Sequence, residues 1–196
     1  SAKKKISDEE SKEFDRFRSR VNKICKYAYD CNIPVFIDAE ESWIQAAIDD
    51  LANEMMLLYN KRRAIVFNTF QLYRKDRLSY LKQSFSMAET GNYFLGAKLV
   101  RGAYMEKERK RAHEMNYSSP IQDKKENTDT DYDAALQFCV ENIGKIAVCA
   151  GTHNEKSSLY LTRLMKEKNL PNNHPHIFFS QLLGMSDHIS FNLADA

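Results

Sequence analysis

The chain is predicted to be an α/β protein, an incomplete (β/α)8 TIM-like barrel of about six parallel strands alternating with helices. Three observations point there. Short apolar runs alternate strictly with segments of helical period, which is the pattern of parallel βαβ units. The positions at the ends of these runs repeat at thirty residues, Asp38 to Asn68 to Lys98, and again Ala150 to Ser180. No G-x-G-x-x-G turn follows a strand, which disfavours a doubly wound dinucleotide sheet. A closed barrel needs eight strands and about 250 residues. With 196 residues, an opening helix and a closing strand, the barrel reads as cut at both ends.

Ser7 with Glu10 is a capping box, and Phe14, Phe17, Val21, Ile24 and Ala28 then mark an amphipathic helix over about 8–31. Pro34 ends the connection, and Val35, Phe36 and Ile37 form a short strand running into Asp38, Ala39, Glu40 and Glu41. A second helix covers about 43–60, with Ile44, Ala47, Ile48, Leu51, Met55 and Leu58 on its expected inner face. Residues 64–67 are the next strand and deliver Asn68 and Thr69; Leu78, Leu81, Phe85 and Ala88 mark the helix after it. The polar stretch 116–130 is longer than usual connections and is expected to be functional or mobile. Tyr132, Ala135, Leu136, Cys139, Val140 and Ile143 give a helix, 146–150 a strand, about 155–169 another helix and 177–179 a strand delivering Ser180 and Gln181. Ile189, Ser190, Phe191 and Asn192 read as one more strand.

The composition, 43% hydrophobic and 29% charged, belongs to a globular protein with one core, so residues 1–196 are read as a single partial barrel domain. Residues 1–7 are expected to be disordered or of cloning origin. A net charge of +2, with bases interleaved among acids, excludes a nucleic-acid surface. No apolar run approaches a membrane span, and the N-terminus lacks a secretory core, so a cytoplasmic location is expected. Cys25, Cys31, Cys139 and Cys149 have no zinc-like spacing and read as free thiols, mostly core filler.

The stretch from Gly96 to Tyr104 carries the chemistry. Lys98 and Val100 share one face of a strand, and Leu99 and Arg101 the other. Gly102 permits a sharp turn or the close approach of a ligand. Cations and free N–H groups therefore gather between a strand's carboxyl end and a helix's amino end, a setting that suits an anion. Taken one at a time, these residues are weak signals. His153 is more often a helix-entry histidine than a catalyst, Asp38 is as compatible with capping the next helix, and no second acidic cluster supports a metal at 38–41. Lys98 is open to two readings, an imine-forming nucleophile of a barrel lyase or an electrostatic partner of a cofactor.

Several segments resemble the proline dehydrogenase family, in family order. They are 36–41 (Phe-Ile-Asp-Ala-Glu-Glu), 67–71 (Phe-Asn-Thr-Phe-Gln), 96–104 with 108–112, 152–155 (Thr-His-Asn-Glu) and 181–187 (Gln-Leu-Leu-Gly-Met-Ser-Asp). The resemblance implies a flavoprotein that oxidises L-proline to Δ1-pyrroline-5-carboxylate on FAD and passes electrons to a quinone. It implies that Asp38 and Tyr104 shape the substrate side and that Leu182 covers the proline ring. Asn68 and Lys98 would face the isoalloxazine. Val100, Arg101, Gly102, Thr128, Thr152, His153, Asn154 and Ser180 would follow the rest of the cofactor, with Arg101 suited to the pyrophosphate. No metal is implied. The family's first-strand lysine and its last helix, which clamps the proline carboxylate, have no counterpart in the chain. The chain alone is therefore expected to be an inactive fragment that self-associates through open sheet edges. The parent protein is expected in the cytoplasm or peripherally at the inner membrane. The rivals are the barrel lyase and a non-catalytic scaffold.

Overall fold

Ser7 opens α1 (Asp8–Asp30) with the expected capping box, its hydroxyl accepting from the Glu10 N–H while the Glu10 carboxylate accepts from the Ser7 N–H. The computed structural model describes residues 7–195; positions 1–6, most of the segment expected to be disordered, lie outside the described residues, as does Ala196. Along α1 the buried positions are Cys25 and Ala28, with Val21 packed beside them, whereas Phe14, Phe17 and Ile24 of the expected stripe are exposed. The packed face, through Val21, Cys25 and Ala28, is thus rotated from the one drawn through Ile24, and it meets α2 (Ser42–Tyr59).

The same correction applies to α2. It turns Gln45, Asp49, Ala52 and Met56 inward along with Leu51 and Met55, and leaves Ile44 and Leu58 exposed. Two polar residues sit on the buried side because buried partners behind the sheet satisfy them.

Five strands form one parallel sheet in chain order: β1 (Val35–Ile37), β2 (Val66–Gln71), β3 (Leu95–Val100), β4 (Ile146–Gly151) and β5 (Ile177–Ser180). The sheet curls into half a barrel. Between the strands run α3 (Arg77–Gly91), α4 (Met105–Glu114), α5 (Lys125–Glu141) and α6 (Glu155–Glu167). Strand alternation sorts the side chains. Val66, Phe70, Leu95, Ala97, Leu99, Val148, Ala150 and Ile177 face outward into the main core with the helices. Phe67, Ala147 and Phe178 face inward and form a small apolar plug with Phe94. The strands' carboxyl ends, inside the curl, are left for polar groups.

Gly96 is required where β3 crosses β2, since a Cβ there would lie 2.3 Å from the Val66 carbonyl oxygen and 2.9 Å from the Phe67 Cα. Neither backbone can yield without breaking the ladder. Gly96→Ala is expected to cost about 3 kcal/mol, in the upper range for overpacking, read as a lowered denaturant midpoint.

Three expectations are corrected. The run 189–192 is not a strand but lies in α7 (Asp187–Asp195), so among the described residues there are five strands instead of about six. The Ser186 carbonyl accepts from the N–H groups of Ile189 and Ser190, the Asp187 carboxylate accepts from the Gly184 N–H, and the apolar run is too short for its period to decide. Asn68 and Thr69 lie inside β2, which continues through Gln71. The polar stretch 116–130 is partly helix, because α5 begins at Lys125. What remains is tied down by Lys75 N–H to Pro120 O, Gln122 N–H to Tyr73 O, and a bridge from Arg74 to Ile121. The cysteines are free as expected, with Cys31 alone exposed. Among the described residues no helix is long and apolar enough to cross a membrane.

Candidate active site

Inward-facing residues near the strand ends, Thr69 and Gln71 of β2, Lys98 and Val100 of β3, Gly151 of β4 and Ser180 of β5, meet the following loops around a cleft of about 660 Å³. A groove of about 850 Å³ beside α6, lined by Leu159, Arg163 and Pro171, lies away from these ends and gathers no comparable set of groups.

Lys98 stands at the centre. Its Nζ is 2.7 Å from Asp38 Oδ1 and 5.1 Å from the Phe36 ring centroid, and Thr69 Oγ1 donates to the same carboxylate oxygen at 3.3 Å. This ion pair suits a fixed positive charge better than an imine-forming amine. Beneath it, Cys149 is buried, and burial pushes its thiol up to about 11, so it behaves as packing.

The segment after β1 is stitched residue by residue to the β3–α4 turn. Glu40 Oε2 accepts from the Tyr104 hydroxyl at 3.0 Å, Glu41 pairs with Lys107, and the Ser42 N–H and hydroxyl donate to the fully buried Glu108 carboxylate at 2.5 and 2.6 Å. The bond to Glu40, followed by desolvation, raises the Tyr104 phenol above the ordinary tyrosine value, so at neutral pH it is a donor. Gly102 holds φ at +125°, and a Cβ there would press within 2.4 Å of the Tyr73 ring; only glycine fits this turn.

Arg101 closes the other side. Its Nε donates to Asp129 at 2.7 Å, Nη1 to Thr152 Oγ1 at 2.7 Å and Nη2 to Ser157 Oγ at 3.0 Å, while the guanidinium stacks on Tyr132. It therefore ties α5, the β4–α6 turn and α6 together. Asn154 caps α6 by accepting from the Ser157 N–H, and His153 Nδ1 is 3.1 Å from the Ser186 hydroxyl.

Of the residues expected in the site, Asp38, Tyr104, Leu182, Lys98, Val100, Arg101, Gly102, Thr152, His153, Asn154 and Ser180 line the cleft. Asn68 and Thr128 do not. The register pairs Thr69 with Lys98 and Asn68 with Ala97, so Asn68 faces outward and its amide donates to Asp49. Thr128 is buried within the first turns of α5, and Lys125 of that helix reaches the cleft instead. Glu40, Thr69, Gln71 and Gln181 also line it. Alternation within β2, which puts Asn68 on the face of Val66 and Phe70 and leaves Thr69 and Gln71 on the other, is the available signal.

Carboxylates paired with cations contribute to the acid stability. Burial alone would raise Asp76 and Asp129, but Arg77 with Arg74 in the first case, and Lys125 with Arg101 in the second, outweigh it and hold both below the usual value of 3.8. Groups depressed in the folded state stabilise fully above their unfolded pKa and lose that contribution as pH falls through the folded one. The steep part of acid unfolding is thus expected below about pH 4, monitored by circular dichroism. Arg101→Gln should shift it to higher pH by removing one of the partners of Asp129.

The family model described as Proline dehydrogenase matches residues 1–196. "Proline dehydrogenase 1, mitochondrial" of Dictyostelium discoideum is 35% identical over 97% of this chain, and the human protein of that name is 34% identical over 98%. The chain spans about a third of the length of these curated relatives, 34% and 32%. A proline utilization A (PutA) structure from Bdellovibrio bacteriovorus, inactivated by N-propargylglycine, superposes with a TM-score of 0.86 over 94% of this chain and 19% of its own, at 19% identity.

Proposed function

The chain belongs to the proline dehydrogenase family, and from that premise we propose that the protein it represents oxidises L-proline to Δ1-pyrroline-5-carboxylate, with FAD as the immediate acceptor and a quinone beyond it. Residues 1–196 would be a partial barrel domain of that enzyme. The observation that carries the reading is the meeting of Asp38, Lys98, Tyr104 and Leu182 in one cleft at the strand ends.

The donor chemistry there fits such a cofactor. Lys98 and Lys125 offer positive charge and His153 and Asn154 polar donors, beside an apolar wall of Val100, Ala103, Gly151 and Leu182. FAD, when bound, supplies the two-electron acceptor. Lys98, Val100, Gly102, Thr152, His153, Asn154 and Ser180 would hold it, with Thr69 and Gln71 on the same wall. Arg101 would act chiefly by organising the two helix entries, since its guanidinium already serves Asp129, Thr152 and Ser157. Asp38 fixes the Lys98 ammonium, whose charge favours electron arrival in the cleft. Tyr104, held as a donor by Glu40, and Leu182 orient the substrate ring and exclude water from it.

A peripheral position at the inner membrane, beside the quinone, is part of the proposal; relatives from Dictyostelium and human are named mitochondrial proteins. Proline-dependent reduction of a quinone-like dye by the full-length protein tests it. A lyase acting through Lys98 would instead give a borohydride-stable adduct with carbonyl substrates and no dye reduction.

For the 196-residue chain by itself, β1 and β5 are the edge strands of the sheet among the described residues, and sheet edges invite pairing. It is expected to self-associate, to bind no flavin and to be inactive. Light scattering and an absorbance scan after addition of FAD check this, and a monodisperse yellow monomer contradicts it.

A further inference from the structure

Behind β2, on the side away from the cleft, lies a buried polar cluster that the proposed reaction does not use. Asp49, Gln45, Asn68 and Arg77 are 3%, 1%, 0% and 6% exposed. Asp49 Oδ1 accepts from Gln45 Nε2 and Asn68 Nδ2, each at 2.9 Å, and Oδ2 accepts from Arg77 Nη1 at 2.6 Å. A carboxylate can only accept, so the Gln45 amide must turn its NH2 group toward Asp49. Its oxygen is thereby left for the Glu40 N–H, at 2.9 Å. Gln71 Nε2 donates to the Glu40 carbonyl at 2.7 Å. Both backbone groups of Glu40 are thus held by side-chain amides, and its carboxylate accepts the Tyr104 hydroxyl inside the cleft.

We propose that Asp49 is a positioning residue: by fixing which way the Gln45 amide points, it sets the Glu40 backbone and keeps the Glu40 carboxylate on the Tyr104 hydroxyl. A buried ion pair on the far side of the sheet so governs a donor in the cleft. The effect on turnover rests on the proline-oxidation reading; the coupling to Tyr104 does not, and is read directly. Besides Glu40, the ionisable groups around Tyr104 are Glu41 and Asp38 on the same loop, Lys107 on α4 at 6.0 Å from the ring, and Tyr73 after β2. All of them remain in the variants below.

The test uses full-length protein carrying tyrosine labelled with carbon-13 at Cζ, with the Tyr104 signal assigned by its loss in Tyr104→Phe. Gln45→Met removes the relay without touching the Asp49–Arg77 pair, and Asp49→Asn removes the charge that orients it. Both are expected to bring the Tyr104 titration down toward that of Glu40→Gln, and to lower kcat/KM for proline roughly tenfold to a hundredfold. If Glu40→Gln moves the titration and either Gln45→Met or a folded Asp49→Asn leaves it as in the unsubstituted protein, the proposal is overturned; so it is if Glu40→Gln moves nothing. Should both relay variants fail to fold, hydrogen exchange at the Glu40 amide of the unsubstituted protein decides. Slow exchange supports the Gln45 bond and free-loop exchange overturns it. Titrations that shift as expected in a protein that does not oxidise proline would uphold the positioning role and refute only the substrate.

Discussion

Lys98→Met in the full-length protein is expected to lower kcat/KM for proline by about a hundredfold, the scale set by removing one preorganised charge from an active site. Methionine keeps the length and most of the volume of the stem, so packing over Phe36 survives. What disappears is the positive charge 2.7 Å from Asp38, which leaves that carboxylate as an uncompensated negative charge at the cleft floor. Asp38 is two-thirds exposed, so the loss should cost fold stability less than about 1 kcal/mol. The function and the fold therefore respond separately, which is the signature of a residue serving the cleft. Potentiometry should show a more negative flavin potential. An unchanged potential would mean that Lys98 is not the cation that stabilises the reduced cofactor.

The second large effect falls on stability. Arg77 and Asp49 form an ion pair at 2.6 Å with both side chains less than a tenth exposed, and Arg77 also bonds Asp76 and stacks on Tyr80. Removing one member leaves a buried charge without its partner, and Arg77→Leu is expected to cost about 3–5 kcal/mol. The exposed pairs of α1, such as Lys26 with Asp30, should each be worth less than about 1 kcal/mol when broken. Urea titration of the two variants side by side checks the contrast. A Lys26→Ala change as damaging as Arg77→Leu would show that burial does not set the scale here.

The contrast also explains what could be read from the sequence. Strand and helix alternation was legible because β2 to β5 are short apolar runs buried on the outer face, and the polar residues at their ends followed directly. Asp38, Lys98 and Thr152 are legible that way and line the cleft, whereas Tyr104 enters only through the family resemblance. Asn68 is the exception: the thirty-residue repeat equates it with Lys98, but alternation along β2 puts it on the face of Val66 and Phe70, and the register pairs Thr69 with Lys98, so the asparagine faces the helices. Buried Gln45 and Asp49 broke the apolar pattern of α2, and the inner face was drawn through Ile44 and Leu58 instead; hydrophobicity alone does not reveal a polar side chain whose partners lie on other elements. The end of the chain was ambiguous because four residues from Ile189 fit a strand or a helical turn equally well, and only the carbonyl of Ser186 decides.

Anaerobic mixing of the full-length protein with L-proline tests the central claim most directly. The oxidised flavin absorbance is expected to bleach on adding proline, and Lys98→Met to slow the bleaching without preventing the protein from folding. Flavin that stays oxidised in the presence of proline, or bleaching at the same rate in Lys98→Met, would contradict it.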